Sequence, residues 1–188
     1  MKKTISALAF VFLVFALPAF AAADYQIVKV LPAVIRTPQY TFTGDQRRTG
    51  QALQWLEVEV NFMSNVPFTD EMTFRYYILV GGKCLTGEVT HVSIPRGRDL
   101  YSVMYVSPRT LEQVLGGKTI TGSSIENVGV QMVLKGQVVD TKSFKEQGNP
   151  QWWQGMQQIP GLVFNKNDTP FAPLYWDRYE AIKASTAR

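Results

Sequence analysis

Histidine and cysteine are almost missing from this chain, which has one of each, His91 and Cys84, among 188 residues. One imidazole and one thiol cannot assemble a Cys/His zinc set, and a single cysteine allows no internal disulfide. A Ser-His-Asp arrangement would have to use His91, yet no G-x-S-x-G elbow occurs, and the serines stand in turn-like settings such as Gly122-Ser123-Ser124. A strand histidine satisfied by its neighbours is the expectation. P-loop, dinucleotide, EF-hand and H-E-x-x-H patterns are also missing, so the sequence implies no catalytic set, no cofactor and no metal. Charge runs are lacking as well. Lys and Arg number 19 against 15 Asp and Glu, and the cations are scattered with only short groups such as Arg47-Arg48, so there is no basic stripe to track phosphates. Nucleic acid is not an expected partner.

What is present begins at the N-terminus. Residues 1–23, MKKTISALAFVFLVFALPAFAAA, combine Lys2 and Lys3, an apolar run and an Ala-rich end before Asp24, the pattern of a secretory signal peptide cut after Ala23. The run is shorter than the about 20 apolar residues that a spanning helix needs, and nothing after it is long and apolar enough. The expectation is an exported protein of the periplasm, cell surface or medium that is not integral to a membrane. Cys84 then reads as a small buried hydrophobe, with an intermolecular disulfide as the alternative.

Residues 24–146 read as β structure. Leu56, Val58, Val60 and Phe62 alternate with Glu57, Glu59 and Asn61, and Met72, Phe74, Tyr76, Ile78 and Val80 with Thr73, Arg75, Tyr77 and Leu79. A loop with Pro67 and Asp70 separates the runs, which suggests an antiparallel pair with Arg75 beside Glu57 and Glu59. Gly81-Gly82 marks a tight turn. Runs follow at 83–94 and 100–106, and a hairpin turns at Lys135-Gly136 between 125–135 and 137–144. Ser107 as N-cap, Pro108 at the first helical position and Gly116-Gly117 as a stop frame one short helix. A first strand at 25–35, with Pro32 marking an edge or bulge, completes about seven strands. This is an all-β reading, an immunoglobulin-like antiparallel β-sandwich.

From residue 147 to 188 the pattern changes to a Pro-rich, aromatic-rich extension, too rich in aromatics for a disordered tail. It is expected to cross the outside of the sandwich, pinned by its aromatic side chains, with residues 177–183 closing as a short helix. Trp152, Trp153, Tyr175 and Trp176 are the candidate ligand-binding residues, a flat platform on which sugar rings could stack. Adjacent Trp152 and Trp153 cannot easily both face inward on an extended chain. Glu57 and Glu59 share a strand face at the spacing of a glycosidase pair, but the same spacing is the ordinary polar face of an amphipathic strand.

With the leader, the β-rich body and the tail TPFAPLYWDRYEAIK at residues 169–183 in view, the chain resembles the small exported immunoglobulin-like proteins of mucus-dwelling Verrucomicrobia, the Akkermansia group, that are associated with type IV pilus-like systems. The resemblance implies a non-enzymatic binding or assembly protein, an accessory pilus or adhesion component with protein partners. It carries over no functional residue. The small residues follow the apolar segment and no Gly-Phe-x-x-x-Glu site precedes it, so a major pilin is not implied. A glycan-binding module of mucin type is the alternative, and open sandwich edges suggest a homo-oligomer.

Overall fold

Alternation sets the frame of the fold. A register slip of one residue in residues 56–62 would turn Glu57 and Glu59 inward, and in the structure Leu56, Val58, Val60 and Phe62 are all fully buried. The structure is a computed structural model describing residues 23–40, 52–146 and 149–184; the signal peptide expected at residues 1–23 lies, but for residue 23, outside them. The strands are β1 (Tyr25–Arg36), β2 (Gln54–Val80), β3 (Lys83–Val106), β4 (Ile125–Leu134), β5 (Gln137–Ser143), β6 (Gln158–Pro160) and β7 (Val163–Asn165), and α1 (Pro108–Val114) follows β3. They form a seven-stranded sheet in the order β5-β4-β2-β3-β6, with β1 on β2 and β7 on β3.

Two pairs of the runs read from sequence are fused. Residues 55–62 and 72–80 belong to the single strand β2, and 83–94 and 100–106 to β3. The two runs of β2 therefore do not pair with each other, and Arg75 faces Glu88 at 3.6 Å instead of Glu57 or Glu59. Register shifts between Phe62, Ser64 and Phe68 break the ladder of the long hairpin, and such irregularities bend strands. The bend brings one half of the sheet over the other. The Phe62 and Phe74 rings lie 4.8 Å apart, and Tyr76 donates across the fold to Ser102 Oγ at 2.6 Å. One core results, joining both halves with β1, β4 and α1: the molecule is an all-β sandwich with one short helix.

Local signals hold where they are short-range. Ser107 Oγ accepts the Thr110 amide at 3.2 Å and Pro108 opens α1. Lys135 and Gly136 both adopt positive φ, 49° and 81°, as the tight turn between β4 and β5 requires. β1 pairs only with β2 and has a register shift between Ile27 and Lys29, so Pro32 sits on an edge strand, where its missing N–H breaks no second ladder. Five of the seven strands belong to residues 25–143, and two come from the extension.

Candidate functional site

The extension does more than lie on a face. β3 bonds β2 along one side, and its other side is met by the extension at four places. β6 runs parallel to Cys84–Thr86. Val92 N donates to Ala181 O at 2.9 Å and Lys183 N to Thr90 O at 2.8 Å, around a bridge between His91 and Ile182. Glu180 N donates to Tyr101 O at 3.1 Å, and β7 pairs with Met104–Val106. An open edge presents unpaired backbone groups to other chains; here the chain covers this edge itself. Residues 177–183 are not a helix. A turn closes with Arg178 N on Tyr175 O, and the segment then meets the β3 edge through a single antiparallel bridge at Ile182.

The aromatic candidates separate into two places. Trp153 is only 2% exposed. Its ring stacks on Tyr77 at 4.3 Å and covers Gly129, where an added Cβ would fall 2.0 Å from its Cζ3, so only glycine admits the indole. Trp152 is half-buried, edge-on to Trp153, and its Nε1 donates to Ser143 at 3.2 Å. These two pack on the β2–β4–β5 half. Phe171 instead stacks on Tyr105 at 4.7 Å and meets Trp55 edge-on, building with Val103 a second small core on the outer face of the other half. Beyond it, Tyr175 is 61% and Trp176 79% exposed. The four residues form no common platform: Trp153 is sealed by packing, and the open pair is Tyr175 and Trp176.

The carboxylate pair lies beneath the extension. Glu59 accepts both Nε and Nη2 of Arg178, at 2.9 and 2.8 Å, and the Tyr179 hydroxyl at 2.9 Å. Burial opposes its charge, but these donors outweigh it and hold the carboxyl below its ordinary range. Arg178 also lies over the Tyr101 ring at 4.0 Å. Burial pushes the neighbouring Glu57 up. Open grooves of ≈ 580 and ≈ 590 Å³ both border Arg75 and Glu88, away from Glu57, Glu59 and His91.

His91 is fully buried. Its Nδ1 lies 2.9 Å from Glu180 O and its Nε2 2.7 Å from Ser102 Oγ, which accepts from Tyr76. A carbonyl can only accept, so Nδ1 carries the proton, Nε2 accepts from Ser102, and the chain of donors closes without a spare. Burial pushes its pKa down to about 4. The imidazole ties β3 to the extension. Its sequence neighbours Thr90 and Ser93 gave no sign of this, because both partners, Ser102 and the Glu180 carbonyl, are distant in sequence. Among the described residues no group of three His, Cys, Asp or Glu could hold a metal ion, and no helix is long and apolar enough to cross a membrane.

An edge-covered all-β sandwich with an exposed aromatic pair defines the class. A family model, defined by likeness to a reference member, matches residues 18–186, and the chain belongs to that family. Three solved chains match in structure; one is a crystal structure from Akkermansia muciniphila, with TM-score 0.74 and 23% identity over 86% of this chain and 94% of that one. At that identity the likeness is one of fold. Among curated proteins none matches.

Proposed function

We propose that this protein is a non-enzymatic, exported binding or assembly component of immunoglobulin-like kind, accessory to a type IV pilus-like system or to surface adhesion. The observation that carries the reading is the pair Tyr175 and Trp176, adjacent aromatic side chains that are the most exposed of the large apolar residues described. Exposed aromatics of this kind are typical anchors of protein interfaces. The leader supports export. His91 has its two ring nitrogens taken up by Ser102 and by the extension, and Glu59 accepts from Arg178 and Tyr179 of the extension, which suits a structural role for both. The test is co-purification of the mature chain with filament proteins of its own host, compared with Trp176→Ala. Retention that the substitution abolishes supports the reading. Hydrolase activity lost on Glu57→Gln or His91→Gln in a folded protein would sink it.

The same exposure favours one second reading, a glycan-binding site on Tyr175 and Trp176 without Trp153. Mucin-type oligosaccharide arrays discriminate: binding unaffected by Trp176→Ala removes that pair from the site.

A further inference from the structure

We infer that the β3 edge at residues 90–92 is a strand-addition site, which the C-terminal segment 178–183 of the same chain fills and which that segment of a second copy can fill in its place. The partner is another copy of this chain, so the inference stands independently of pilus or glycan binding.

The extension is held unevenly. Trp153, Val163 and Phe171 are buried anchors, whereas no residue from 172 to 184 is buried. The terminal segment is held by three backbone hydrogen bonds, to Thr90, Val92 and Tyr101, by polar side chains, and by the partly buried Tyr179 and Ile182, which pack against the cores from outside. Arg178 meets Glu59, and Lys183 meets Glu71 at 2.7 Å with both partners half exposed. The Lys183 pair is exposed enough to contribute little, while the Arg178 pair is open on the arginine side and covered at Glu59. Between anchors and segment stands Tyr175 at φ 51°, a left-handed conformation that costs a non-glycine residue free energy and is released if the connection straightens. The segment can therefore leave while the rest of the extension stays docked, a local opening short of global unfolding.

Opening leaves a site that needs a strand. The amide of Val92 and the carbonyl of Thr90 lose their partners, and buried His91 Nδ1 loses the Glu180 carbonyl; unpaired polar groups of this kind are costly. The occupant is specified by charge. Two cations on the segment, Arg178 and Lys183, meet two carboxylates on β2, Glu59 and Glu71, and every copy carries both halves of that match. Exchange needs no new contact, only proximity: the tether favours the intramolecular arrangement in dilute solution, and concentration or alignment of copies favours the exchanged one.

Mixing two full-length mature variants, Glu59→Arg and Arg178→Glu, tests this. Each alone sets like charges against each other at the clamp. In the mixture each segment finds its opposite charge only on the other chain. Sedimentation equilibrium is expected to show dimers in the mixture, at least about tenfold more abundant than in either variant alone, with the double variant Glu59→Arg/Arg178→Glu monomeric. A mixture as monomeric as its folded parents overturns the inference. If a parent fails to fold, hydrogen exchange on the unaltered protein decides. Val92 and Lys183 amides exchanging at least about tenfold faster than those of Tyr76 and Val130 support it, and equal rates overturn it.

Discussion

Trp152-Trp153 and Tyr175-Trp176 are two neighbouring aromatic pairs of one extension, yet one is packed into the fold and the other stands in solvent. The difference is not in the pairs. Trp153 lies over Gly129, a strand position with no side chain, and against the flat face of Tyr77. Tyr175 and Trp176 follow Phe171, which has already taken the stacking position on Tyr105, and the turn at Tyr175 carries them outward. The receiving surface decides which aromatic becomes an anchor.

Four experiments would break or sharpen this contrast. Trp153→Ala should have the largest effect, a loss of about 3–5 kcal/mol in urea unfolding, as for other buried large-to-small changes; an unchanged midpoint would remove Trp153 as an anchor. Acid should act next, through His91. The unfolded imidazole binds a proton near 6.5 while the folded one resists until about 4, so stability is full above pH 6.5 and falls as pH drops towards 4. The loss should approach about 3 kcal/mol. Glu57 and Glu180, pushed up by burial, act in the opposite sense, so the His91 share is read as the difference in pH profile from His91→Gln. Gly129→Ala should cost about 1–3 kcal/mol by overpacking and make the Trp153 fluorescence more solvent-like; an unchanged emission maximum would show that the indole does not need that gap. Trp176→Ala should change stability by less than about 0.5 kcal/mol. A large drop in melting temperature would mean that it too is an anchor.

Much of the frame was legible because it is local. Gly81-Gly82, Ser107-Pro108 and Lys135-Gly136 each act within a few residues, and each marks its turn or cap in the structure. The continuity of β2 was not legible: Pro67 and Asp70 look like a loop, but in a bending hairpin Pro67 stands exposed at a shift in the ladder, where no backbone bond is asked of it. The routing of the extension was hidden for another reason. It follows backbone hydrogen bonds along an edge, and these depend little on which side chains are present. Of the candidate site, the alternation argument for Trp152 and Trp153 assumed an extended chain, whereas residues 152–155 form a 3-10 helical turn in which Trp153 is buried and Trp152 half-buried. That Trp153 is the covered one depends on Gly129, far away in sequence.

Cys84 gives the docked extension a built-in chemical clock. The thiol is fully buried on β3 opposite Gln158 of β6, and burial pushes its pKa up to about 11, so little of it is thiolate at neutral pH. Alkylating reagents and oxidants should reach it mainly in the moments when that short strand lifts or the chain unfolds. The rate at which a maleimide consumes this single thiol, followed against denaturant, therefore reports detachment of the strap at low denaturant and global unfolding at high, without any substitution.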